Sequence, residues 1–271
     1  MRRMATMPTR FEPNRFRSTV PYYLAYRAPY PDELIAFVAE RCGLGPGARV
    51  LDLGCGPGQL AVAFARLGAA VTAIDPEPNM LAVARHLADE AGVPLTAVEA
   101  SSYDLNSVLG RFQLVTMGRS FHWMDRDGTL KSLDTIVEQG GAVVLFGDKP
   151  IEPPRAGWRT LVEQLSEEFA PVRASERRDR KMNDEPHELV LLRSAFARLE
   201  RHGVIIDRRL SADDVVGYAY STSTTSPESL GDRRQDFEKT LREGLRRISP
   251  SGEFNDVLEI NALIARRPAV R

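Results

Sequence analysis

The chain has 271 residues, 43% of them hydrophobic, enough to bury a large core as one elaborated domain. Its 36 basic and 37 acidic residues leave a formal net charge of −1, which gives no electrostatic footprint for nucleic acid phosphates or an anionic membrane. Only Cys42 and Cys55 occur, matching neither a disulfide framework nor a metal or redox pair, which suits a reducing cytoplasm.

The opening "MRRMATMPTRFEPNRFR" is basic but lacks the apolar core of a secretory signal. Its arginines admit a transit peptide, whereas Glu12 and the two prolines favour a poorly ordered tail. No later segment has the roughly 18 apolar residues of a membrane span. An aromatic helix follows, carrying Tyr22, Tyr23, Tyr26 and Tyr30.

From about Pro46 to Phe146 short apolar runs alternate with helical stretches: "ARVLDLG", "QLAVAFARLG", "AAVTAID", "PNMLAVARHLADEAG", "LTAVEA", "FQLVTMG", "DGTLKSLDTIVEQGG" and "AVVLF". Continuous apolar strands separated by amphipathic helices predict right-handed βαβ units and a mostly parallel, doubly wound α/β sheet covered on both faces. Gly68 is expected to end the first helix of this unit, Pro76 to stop the second strand, and Gly140 and Gly141 to close the helix before "AVVLF".

Beyond Asp148 the rhythm breaks into "KPIEPPRAGW", a helical run from Trp158 to Phe169, the charge-dense "RASERRDRKMNDE", and a further helical run from Glu188 to Leu199. An insertion of about 50 residues in an α/β fold usually covers the ligand end of the sheet, so a cap is expected here. The charge run reads as a solvated face. "GVIIDRRL" is then a strand, and "SADDVVGYAY" opens with Ser211 three residues before Asp214, a capping-box start. A charged helix runs from about Gly231 to Ile248, and "DVLEINALIAR" returns to the sheet edge as an antiparallel partner of "GVIIDRRL".

The segment "VLDLGCGPGQLA" raises the question of function. A glycine-rich turn between a first strand and a helix lets exposed N–H groups and a helix N-terminus approach a ligand that a side chain would block. Gly54, Gly56 and Gly58 stand in register with Asp52 before them and with Asp75 at the end of the next strand, where a carboxylate accepts hydrogen bonds from both ribose hydroxyls. The combination implies a bound nucleoside. A dinucleotide fingerprint requires Gly-x-Gly-x-x-Gly, but Gln59 follows a third glycine that comes one residue early, so NAD is disfavoured.

"VLDLGCGPG" with "AID" some twenty residues on closely resembles the first two motifs of class I S-adenosylmethionine-dependent methyltransferases. "YRAPYP" and "SFHWMD" resemble segments of the small-molecule branch that includes trans-aconitate methyltransferase-like proteins with a methyltransferase type 11 domain. The resemblance implies a seven-stranded Rossmann-like sheet with S-adenosylmethionine as cofactor. The division that goes with it is an N-terminal helical segment at 1–45 contributing to the site, a cofactor-binding core at 46–148, an inserted cap at 149–200, and completion of the core at 201–271. It also implies that Gly54, Cys55, Gly56 and Gly58 pass under the methionine part, with Asp52 in the same motif. Asp75 would hold the ribose, and Pro76 to Met80 would flank the adenine. Ser101 and Ser102 stand where the family often has Asp-Ala, so the contact to the adenine amine falls to a hydroxyl or a backbone group. Gly118, Arg119 and Ser120 would lie against the methionine end, and Arg27 would pair with its carboxylate through a guanidinium fork.

Methyl transfer needs little beyond alignment and, for some acceptors, removal of a proton. Tyr22, Tyr23, Phe121 and His122 are the candidates for an acceptor pocket, with His122 either a base for a hydroxyl acceptor or a packing residue. His86, His187 and His202 read as structural or exposed, and Cys55 as buried packing. No His or Cys spacing suggests a metal. The expected function is methylation of an oxygen or nitrogen of a small metabolite in the cytoplasm, as in tailoring of antibiotics or other natural products, with no nucleic acid or membrane partner. A regulatory or scaffold protein that only binds the cofactor, or a methyltransferase acting on RNA or protein, are the alternatives.

Overall fold

The computed structural model describes residues 17–151, 157–170 and 185–269. The basic tail and nearly all of the charge run therefore lie outside the described residues.

Seven strands form one sheet: β1 (Arg49–Leu53), β2 (Ala70–Asp75), β3 (Thr96–Glu99), β4 (Phe112–Gly118), β5 (Val137–Pro150), β6 (Arg198–Ser211) and β7 (Glu253–Arg266). Their order is β3-β2-β1-β4-β5-β7-β6. The first five are parallel, and β7 enters antiparallel between β5 and β6. Chain order reverses between β1 and β4, which opens a crevice at the carboxyl ends of those strands.

Successive side chains along each strand feed opposite faces. Val50, Val71, Leu114 and Val144 pack under α2 (Asp32–Arg41), α3 (Gln59–Arg66) and α4 (Pro78–Glu90), through Leu34, Val38, Phe64 and Leu81. Leu51, Ile74, Val115 and Val143 face the other way, against α5 (Arg126–Ile136) and the short helix His187–Leu192, through Leu133, Val190 and Leu191. A third core is built by helices packed on one end of the β6–β7 pair, where Leu210 and Phe254 join it. It joins α6 (Trp158–Phe169) to α8 (Ala212–Tyr220) and α9 (Arg234–Ile248), with His187–Leu192 counted as α7, through Trp158, Leu165, Val215, Phe237 and Leu241. The helical layer thus draws on residues both before and after β6, while α7 belongs to the core of the sheet. The capping box at Ser211 is present: its hydroxyl accepts from the Asp214 N–H at 3.2 Å, and the Asp214 carboxylate accepts from the Ser211 N–H at 2.7 Å.

Two boundaries differ from the sequence reading. The helix before "AVVLF" stops at Ile136, and "VEQGG" is already strand; Gly140 and Gly141 lie in a register shift between β4 and β5 instead of closing a helix. A Cβ on Gly141 would sit 2.8 Å from the Gln113 carbonyl oxygen, so the glycine serves close strand approach. The second helical run also ends early, at Leu192, because "RLERH" pairs with β7.

The N-terminal helix α1 (Val20–Tyr26) lies on α8. Tyr22 packs between Tyr26 and Tyr220, with ring centroids 6.2 and 5.2 Å away. A Cβ on Gly217 would collide with the ring of Tyr26. Gly217→Ala improves helix propensity but overpacks this contact, and a net loss of about 1–3 kcal/mol is expected in denaturant unfolding.

Candidate active site

The glycine loop is folded by main-chain and carboxylate bonds that need no ligand. The N–H groups of Gly54 and Cys55 both donate to the Ile74 carbonyl, at 2.8 and 3.0 Å, which turns the chain back over β2. Gly56 N–H donates to one oxygen of Asp75 at 2.8 Å, and the other oxygen accepts from Glu77 N–H at 2.9 Å. Beneath the loop Asp52, 1% exposed, accepts from Ala61 N–H at 3.1 Å and from the Thr116 hydroxyl at 2.9 Å, joining β1 to α3 and β4.

The glycines differ in what surrounds them. At Gly54 an added Cβ would meet Ser120, whose hydroxyl donates to Leu53 O at 2.9 Å. At Gly56, with φ +53°, it would meet nothing within 4 Å, and this bare backbone lines the cleft. Gly58 does not line it: its missing side chain admits Ala84 of α4, and it caps α3 in a left-handed conformation. Helix packing by itself requires glycine at this position.

The cleft has a volume of about 650 Å³. Its floor is formed by Asp52, Gly54, Cys55, Gly56, Asp75, Pro76 and Met80, with Ser101 and Ser102 on one side and Gly118, Arg119 and Ser120 at the end of β4. Arg27, Tyr23 and Tyr30 enter from the N-terminal segment, and Phe121, His122 and Trp123 from the turn after β4. Tyr22 is not among them; adjacent helical residues point about 100° apart, and Tyr22 is committed to Tyr220 and to Arg234, which donates to its hydroxyl at 3.3 Å. In this structure Tyr22 packs against the helical layer.

The surroundings fix what several groups can do. Burial pushes the Cys55 thiol well above its usual range, which rules out a ready thiolate. The Ser101 hydroxyl donates to Asp104 at 2.7 Å, so it is left as an acceptor. Arg27 donates to the Ser221 carbonyl at 3.4 Å and lies 5.6 and 5.0 Å from the rings of Tyr23 and Tyr218. Its Nε is buried and has no hydrogen-bond partner among the described residues. Phe121 is 2% exposed, and its ring meets the edge of His187 at 5.2 Å; His122 is exposed, 4.9 Å from the Trp123 ring.

The far wall has little signature in the sequence. Asp148, His187, Glu188, Arg201, Asn261 and the hydroxyl-bearing loop Ser221–Thr224 also line the cleft. The run "STSTTS" after α8 is visible as a cluster of hydroxyl residues, but Asn261 is brought there only by pairing of β7 with Gly147 and Gly203. His187, read as structural or exposed, accepts or shares a bond with Arg126 at 3.2 Å on the edge of the cleft.

Burial raises the carboxyls of Asp52 to about 7 and Asp75 to about 6, against an unfolded value of about 3.9. A raised carboxyl binds more protons in the folded state, so these two groups make stability fall as pH rises from about 4 to 7, with no further change above. In Asp52→Asn the fall between pH 5 and pH 8 is expected to be shallower than in the parent protein, measured by urea unfolding across that range.

Among the described residues no helix is long and apolar enough to cross a membrane. A family model described as a methyltransferase domain matches residues 50–141. An uncharacterized methyltransferase of Mycobacterium tuberculosis is 30% identical over 229 residues, covering 83% of this chain and 84% of its own. A ubiquinone biosynthesis O-methyltransferase of Xanthomonas campestris is 41% identical over 111 residues, 40% of this chain and 46% of that protein. A solved S-adenosylmethionine-dependent methyltransferase of Geobacter sulfurreducens, in complex with S-adenosyl-L-homocysteine, shares the fold with a TM-score of 0.53 at 17% identity, covering 95% of this chain and 99% of that one. With the strand order, the glycine loop and Asp75 in place, the chain belongs to the S-adenosylmethionine-dependent methyltransferases.

Proposed function

We propose that this enzyme methylates an oxygen or nitrogen of a small metabolite enclosed between the sheet and the helical layer, in the tailoring of a natural product. The observation that carries the reading is the cleft itself: one continuous space of about 650 Å³ runs from the glycine loop to Tyr23, Ser221–Thr224 and Asn261, a size suited to small ligands. The name of the Xanthomonas relative, an O-methyltransferase of ubiquinone biosynthesis, agrees with a small acceptor.

Bound S-adenosylmethionine supplies a methyl group on a positively charged sulfonium. The chain's own part is to hold and align. Asp75 keeps lone pairs on both oxygens for ribose hydroxyls, and Gly56 offers backbone with no side chain in the way. Pro76 and Met80 supply apolar surface for the adenine, with Ser101 and Ser102 beside it. The Arg27 fork, whose Nε has no partner among the described residues, matches a carboxylate. Gly118 and Ser120 close the methionine end. Tyr23, Phe121 and Trp123 shape the acceptor space, and His122 takes the proton of a hydroxyl acceptor. The site is read as cytoplasmic, with no nucleic acid or membrane partner.

Incubation with methyl-labelled S-adenosylmethionine and a metabolite extract tests this reading. Label in a small product supports it; label only in RNA or protein, or cofactor binding without any product, overturns it. Asp75→Ala is expected to weaken S-adenosyl-L-homocysteine binding by about 1–3 kcal/mol in calorimetric titration, the scale of lost hydrogen bonds to a charged group. With a hydroxyl acceptor His122→Ala is expected to slow single-turnover methyl transfer about 10²- to 10⁴-fold while cofactor affinity stays unchanged.

A further inference from the structure

Arg119 is the one described non-glycine residue with a positive φ, at +56°. For a side chain with a Cβ this left-handed backbone is disfavoured, and such conformations persist where the surroundings enforce them. The surroundings here are specific. The Arg119 N–H donates to the Phe146 carbonyl at 3.0 Å, which holds the turn against β5. Its Nε pairs with Asp148 at the end of β5, and its Nη2 donates to the Ala28 carbonyl at 2.8 Å. The face of Tyr30 lies 4.6 Å from the guanidinium carbon, and the Tyr30 hydroxyl reaches the space over Gly118, where a Cβ would be 2.6 Å from it.

We propose that Arg119 is a positioning residue whose forked side chain clamps the segment Arg27–Pro31 onto the ends of β4 and β5, and so sets Arg27 and Tyr23 in the cleft. The left-handed turn aims the guanidinium sideways along the sheet ends, where it meets Asp148 and Ala28 O together. Ala28 is the residue after Arg27, so the bond to its carbonyl fixes the backbone from which Arg27 projects. A lysine carries the same charge but has no fork to satisfy a carboxylate and a carbonyl in divergent directions. The inference rests on reading Arg27 and Tyr23 as ligand contacts. Nη1 of Arg119 has no partner among the described residues, which leaves direct ligand contact as the competing role to be separated by experiment.

Hydrogen exchange of the full chain in α1 and residues 27–31, read beside S-adenosyl-L-homocysteine affinity and melting temperature, decides between the two. In Arg119→Ala, Arg119→Gly and Arg119→Lys alike, amides of this segment are expected to exchange about tenfold or more faster, with affinity falling by a similar factor. Arg119→Gly should melt above Arg119→Ala, because glycine accepts the left-handed turn, yet lose as much affinity. Unchanged exchange in the segment overturns the clamp, whatever the affinity does, and so does full recovery of affinity by lysine. Failure of the parent protein to bind S-adenosyl-L-homocysteine would instead strike at the reading of the cleft, while the exchange result still judges the clamp.

Discussion

The buried carboxylate of Asp52 is the constraint on which the site depends. Removing a charge from water is costly unless hydrogen bonds offset the loss, and here one oxygen holds the Ala61 N–H and the other the Thr116 hydroxyl. Those two bonds tie β1 to the first turn of α3 and to β4, across the point where strand order reverses. Asp75 repeats the device one strand over, taking the N–H groups of Gly56 and Glu77. The loop between the two carboxylates is thereby shaped before a ligand arrives, which lowers the ordering cost of binding.

The opposite wall rests on a separate foundation. Asp256, with no exposed surface, pairs with both Arg159 of α6 and Arg208 of β6, and the Trp158 indole N–H donates to Asn255 O at 3.1 Å. The helical layer is thus anchored on the β6–β7 pair, away from the glycine loop. The N-terminal segment touches both bodies: α1 lies on α8 through Tyr22, Tyr26 and Gly217, and Ala28 and Tyr30 meet Arg119. These few residues, together with the pairing of β7 on β5, set the geometry between the cofactor loop and the far wall.

This split explains what the sequence reveals and what it hides. Strand "RVLDL", the three glycines and Asp75 are local features whose spacing carries their meaning, so the α/β core and the nucleoside end of the cleft are legible. Adjacent Tyr22 and Tyr23 have the same chemistry, and only the packing of Tyr22 on Tyr220, 198 positions away by residue number, separates core from cleft. Asn261 and Ser221–Thr224 reach the site through long-range strand pairing and helix docking, which leave no periodicity to read. "VEQGG" reads as the end of a helix because its glycines look like a stop, whereas the register shift that uses Gly141 is a property of two strands together.

The insertion of β7 between β5 and β6 has a consequence during synthesis. The strand that joins the two halves of the sheet is the last to leave the ribosome, so β5 and the 14-residue β6 must wait with unpaired edges while α8 and α9 are made. Waiting edges invite pairing between chains, and charged side chains are a common protection. Arg198, Arg201, Arg208 and Arg209 stud β6, and among the described residues no strand pairs with its outer edge. The strand that waits longest thus carries charge along its length, and part of that charge is used again in the finished protein, where Arg208 pairs with Asp256.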